Sequence, residues 1–210
     1  MKLSPTFLSR IPALFLSCCL LLAFGCSDSQ DAVEPTLDMD SKANNKSANM
    51  MKEYWVEINP LNHSGVTGQA KLVVEGNVLT VEVWAEGLEA GMPHPQHIHG
   101  FVENKGNATC PPPSADVNGD GLIDLGEGVP FYGPVLVSLT PFPTAEDGTI
   151  HYKQTFMLGM GDMIAYQALK PLQNRVIVLH GMTVEGTYWP TLPIACGQIM
   201  PGNSMGMGNR

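Results

Sequence analysis

Lys71 to Glu75 and Val78 to Trp84 are two runs rich in β-branched residues, separated by Gly76 and Asn77. A Gly/Asn pair between two such runs is a β-hairpin signal, because both residues tolerate the left-handed backbone of a tight two-residue turn. Leu72 and Val74 face one way and Val73 the other, and Val81 and Val83 alternate with Thr80, Glu82 and Trp84. One face is apolar and the other mostly polar, which commits the hairpin to a sheet covered on one side. Further strands are read from Tyr54 to Asn59, Val135 to Thr140, Thr149 to Phe156, Arg175 to His180 and Leu192 to Ile199. Charged residues make up only 15% of the chain, while 22 glycines and 17 prolines are spread through it. That balance favours many short strands joined by turns, and 210 residues leave room for one all-β domain with a real core.

The two ends are of a different kind. Residues 1–26 read as an export signal, with Lys2 and Arg10 ahead of an apolar run, Ile11 to Phe24, that is too short to span a bilayer comfortably. The run closes on Gly25 and Cys26, similar to a bacterial lipoprotein cleavage motif, so Cys26 is the expected lipidation site; ordinary signal cleavage nearby is the other reading. Lipid chains there would tether the protein to the cell envelope without a spanning helix. Residues 27–53 carry Asp28, Asp31, Glu34, Asp38 and Asp40 with little apolar surface, and read as a disordered tether. The folded domain is placed at 54–200, with 201–210 as a flexible tail. The formal charge is −9, and it becomes more negative once the signal is removed, which argues against nucleic acid as a partner.

Of the five cysteines, Cys18, Cys19 and Cys26 belong to the signal. Cys110 and Cys196 remain for the folded part, and an exported domain would join them. His97 and His99 flank Ile98. On an extended strand these two imidazoles would stand side by side while Ile98 enters the core. That is half of a transition-metal site, since imidazole suits copper, zinc, iron and nickel. His94, between Pro93 and Pro95, is read either as a fourth ligand or as part of a solvent-exposed turn. His63 falls in a loop and His151 on an exposed strand position. The methionines, among them Met157, Met160 and Met163, offer soft thioethers or simply fill gaps.

From Asp116 to Glu127 the chain follows a calcium-loop pattern. Asp116, Asn118, Asp120 and Asp124 stand at loop positions 1, 3, 5 and 9, Gly121 at the sharp turn, the Leu122 carbonyl at position 7 and Glu127 at position 12. Prolines 111–113 before it and Pro130 after it leave no room for paired helices, so the expectation is a lone structural calcium loop, or else an acidic turn that binds nothing tightly.

In order along the chain stand Gly87-Leu88, His97-Ile98-His99, Cys110 in a long loop, a strand ending at His180, and a last strand holding Cys196-Gly197. This ordered set resembles the copper/zinc superoxide dismutase family, from about Tyr54 to Met200. The stretch Asn62 to Gly68, with the later His97 to Gly100, also looks like CHRD-type domains, taken here as a related naming of the same architecture. The resemblance implies an eight-stranded antiparallel Greek-key barrel or sandwich. It further implies His97, His99 and His180 as copper ligands and a Cys110–Cys196 disulfide. It stops there: no histidine lies between Gly100 and Pro130, so the family's zinc site has no counterpart, and Pro193 stands where the family places an anion-guiding arginine. The expectation is an exported, membrane-tethered copper-binding protein with a dismutase-like active centre in prospect. The alternative is a non-catalytic extracytoplasmic binding or adhesion domain stabilised by calcium.

Overall fold

A computed structural model describes residues 51–161 and 163–202. The export signal, Cys26, nearly all of the tether and the tail from 203 lie outside the described residues. Eight strands make up most of the domain: β1 Lys52–Pro60, β2 Thr67–Glu75, β3 Val78–Glu86, β4 Gln96–His99, β5 Val135–Ser138, β6 Thr149–Met157, β7 Val176–Val184 and β8 Thr187–Pro201. The first begins two residues ahead of the predicted domain boundary, because Lys52 and Glu53 already pair with Val74 and Val73. All strand pairs are antiparallel, and the strands form one curled sheet in the order β5-β4-β7-β8-β1-β2-β3-β6. The β2–β3 turn falls at Gly76-Asn77 as read from the sequence, with Glu75 opposite Val78 and Gly76 at φ +59°.

Alternation along the strands explains the burial. Val56, Ile58, Leu72, Val81, Val83, Ile98, Leu179 and Ile194 point into one shared core, each no more than 1% exposed. Each such side chain stabilises by about 1.5–3 kcal/mol through the apolar surface it withdraws from water. A second, smaller cluster forms on the opposite face of β7, where Val176, Val178 and Cys196 pack with Ala108 and Tyr132 from the long segment between β4 and β5. That segment is held down by the Cys110–Cys196 disulfide, which spans 86 residues. Disulfides of this kind form outside the reducing cytoplasm. No helix of the described residues is long and apolar enough to cross a membrane.

One expectation is extended and one corrected. The acidic loop runs into a single short helix, α1 Leu125–Tyr132, because Asp124 accepts the Glu127 amide while the Glu127 side chain accepts the Asp124 amide. That reciprocal cap is an Asp-x-x-Glu signal that starts the helix with Pro130 inside it, and only a three-residue 3-10 turn, Pro113–Ala115, precedes the loop, so no pair of helices flanks it. The strand carrying His180 does not end there; β7 runs on to Val184 through irregular pairing at His180 and Gly181, the latter at φ +105°.

Candidate metal centre

β4 presents His97 and His99 on the face opposite Ile98, as its alternation requires, and Ile98 is fully buried in the core. His97 sits opposite Val178 of β7 and His99 opposite Val176, so the odd-even register that buries those valines also brings His180 to the same face. Ring centroids of His97, His99 and His180 lie 5.2–5.7 Å apart. One nitrogen from each comes within 4.8 Å of the other two, and the group can hold a metal ion. Among the described residues no other set of three or more histidine, cysteine or carboxylate side chains gathers in this way.

Hydrogen bonds identify the donor atoms. His99 Nδ1 donates to the Gly133 carbonyl at 2.9 Å, and His180 Nδ1 donates to the Thr191 carbonyl at 2.9 Å. Each bond fixes the tautomer and leaves Nε2 with a lone pair. His99 Nε2, His180 Nε2 and His97 Nδ1 are buried and have no hydrogen-bond partner. Three orphaned imidazole nitrogens facing one another are costly unless something accepts their lone pairs, and a metal ion does. Burial pushes His180 down to about 3 and His97 down to about 4, with the neighbouring imidazoles adding to the effect, and burial lowers His99 too. All three rings are therefore neutral ligands at ordinary pH.

The surrounding chain holds these rings in place. The His180 amide donates to the Pro95 carbonyl at 2.8 Å, while its carbonyl oxygen lies 3.2 Å from His94 Nδ1. Gly133 approaches Gly100 so closely that a Cβ on it would stand 2.7 Å from the Gly100 carbonyl, at φ +78°, so glycine is required where the His99 acceptor is placed. Tyr132 packs its ring 4.7 Å from that of His99, and Phe142 packs 5.4 Å from His97.

His94 is neither a fourth ligand nor an exposed turn residue. It is fully buried, and its two ring nitrogens face the carbonyls of His180 and Glu89 at 3.2 and 3.1 Å. The backbone of Pro93 and Pro95 turns it inward, beneath the site rather than into it. His151 is exposed, as predicted, and stacks on Trp84.

In the acidic loop, side-chain oxygens accept from backbone amides throughout. Asp116 binds the amides of Gly119 and Gly121, Asn118 that of Asp120, and Asp120 that of Leu122. Glu127 takes the amides of Val117, Asn118 and Asp124. Asn62, read from the sequence only as the start of the CHRD-like stretch, clamps this loop to the sheet: it donates to the carbonyls of Ile123 and Pro193 and accepts the Ile123 amide at 2.7 Å. A single asparagine in a loop carries no sequence signal for such a role beyond its tolerance of positive φ, here +54°. Compared with known protein families and with curated proteins, the chain matches none.

Proposed function

We propose that this chain is an exported, membrane-tethered metal-binding protein of the superoxide dismutase-like, Greek-key fold, with copper held by His97, His99 and His180. The observation that carries the reading is the convergence of three partnerless nitrogens, two with their tautomers set by backbone carbonyls. Imidazole donors select copper, zinc or nickel over magnesium or calcium, and the ordered resemblance favours copper among them. Bound there, copper would supply one-electron redox chemistry at an open coordination position, the requirement of a dismutase. The chain's own part is to hold three neutral imidazoles in one orientation beneath an open mouth. The loop from Asp116 to Glu127 is proposed to take calcium, in a position where the zinc site of the dismutase family is missing. Export and lipidation at Cys26 complete the proposal.

A second reading, a non-catalytic adhesion domain of the CHRD type, is favoured by the apolar surroundings of the histidines. Among the described residues, none of the side chains lining the cavity into which the three histidines open is a lysine or arginine that would draw in an anion. Metal analysis of protein purified with copper and zinc separates the two. One transition-metal ion per chain, lost in His97→Ala with His180→Ala, supports the metal-binding reading; a substoichiometric content that ignores those substitutions supports the adhesion domain.

A further inference from the structure

The histidines open into a cavity of about 300 Å³ walled by Pro95, Leu125, Val135, Phe142 and Pro190. Leu125 and Val135 are 44% and 48% exposed at its rim, so that the mouth of the cavity is apolar as well as its wall. The chemistry around the donors is uncharged at every step. The ligand set is three imidazoles, the carbonyls of Gly133 and Thr191 orient two of them, and among the described residues no carboxylate lines the cavity. Asp124, the acidic residue next to Leu125 in the chain, accepts the Glu127 amide as the cap of α1 and lies on the Tyr132 side of the site, outside the cavity lining.

Resting on the copper reading above, we propose that this centre retains copper preferentially in the monovalent state and admits a small uncharged ligand to it. The cost of placing a charge in an apolar surround grows with the square of that charge, and neither ligand nor wall offers a negative charge to offset it. A divalent ion therefore loses far more than a monovalent one on entering. Three nitrogen donors also suffice for the low coordination number that monovalent copper accepts. The cavity then holds the fourth position, with an apolar lining suited to a compact neutral molecule that donates one lone pair.

The test uses the purified protein with copper alone, its affinity for each oxidation state measured by chelator competition, and carbon monoxide as the probe ligand, read by its infrared stretch. Wild-type protein is expected to hold monovalent copper at least about a hundredfold more tightly than divalent, and to bind carbon monoxide when reduced. Leu125→Glu, which sets a carboxylate at the rim, should move the ratio about tenfold toward the divalent ion, while Leu125→Gln leaves it unchanged. Val135→Glu repeats the experiment on β5 in case the first variant folds poorly. Equal retention of both ions, or a ratio that neither carboxylate moves, overturns this inference while leaving the copper centre standing. Copper uptake in neither state that depends on His97 overturns the centre itself and this inference with it.

Discussion

At the scale of single residues the site is governed by what each imidazole is denied. His97, His99 and His180 have ordinary values of 6.5 as free side chains, and burial lowers all three, His97 to about 4 and His180 to about 3. Below pH 6.5 the unfolded chain takes up protons that the folded metal-free protein refuses. Stability is therefore fully present above about 6.5 and is lost as pH falls through 6 and 5 toward 4. Denaturant midpoints of metal-free protein should drop across that window, and His180→Gln should flatten the slope. A midpoint constant from pH 7 to 4.5 would contradict the burial of these rings. His94 acts one step further back, on the backbone of a ligand. His94→Ala should leave metal stoichiometry unchanged while weakening affinity by about 10–100-fold and destabilising by about 1–3 kcal/mol, since the buried ring between the His180 and Glu89 carbonyls is lost, together with the one N–H it donates to them. A change in stoichiometry, read by metal analysis, would make His94 a ligand after all.

At the scale of elements, the decisive piece is the segment from Gly100 to Gly133, which has no partner strand of its own and yet carries a wall of the site. It is attached by the disulfide at one point, by Asn62 at a second and by the packing of Tyr132 on Val176 and Val178 at a third. Its acidic loop is ordered by its own amides, with Asp116, Asp120, Asp124 and Glu127 close in sequence and repelling one another unless a cation enters. Calcium at a hundredfold excess over its dissociation constant should stabilise the folded protein by about 2.7 kcal/mol, seen as a higher unfolding temperature. Asp120→Ala should abolish the rise and leave transition-metal uptake at the three histidines intact. An unfolding curve indifferent to both calcium and chelator would reduce the loop to a turn.

For the whole molecule the relevant quantity is how two faces of one sheet are covered. The inner face closes on its own large core, whereas the outer face of β4 and β7 depends on the long segment to make the second cluster with Tyr132. Closing a loop of 86 residues restricts the unfolded chain by about 4 kcal/mol on the chain-entropy account. Cys110→Ser with Cys196→Ser should therefore lower the unfolding temperature by about 10 °C. It should also weaken metal binding, because Gly133 would no longer hold His99 as firmly. A double variant with unchanged metal affinity would show that the strands alone position the three histidines.

Strand alternation made the sheet legible from residues alone, since Leu72, Val74, Val81 and Val83 repeat every second position and each must find the same side. The same period put His97 beside His99, and cysteine arithmetic left one pair to be joined. These are local properties: they depend on neighbours one to four residues away, which the sequence states directly. Helix α1 left its trace in Asp124 and Glu127, but these stand equally at positions 9 and 12 of the loop pattern, so their capping role could not be told from the sequence. The fate of His94 was not legible, because a histidine between two prolines has the same local preferences whether it faces water or lies beneath a ligand. Nor were Gly133, Thr191 and Pro95, which serve through backbone atoms that every residue possesses. The third ligand's place beside the first two, and the apolar mouth above them, come from pairing β4 with β7 and folding a distant loop across both; only the tertiary structure could decide them, because no local preference encodes a contact between residues eighty positions apart.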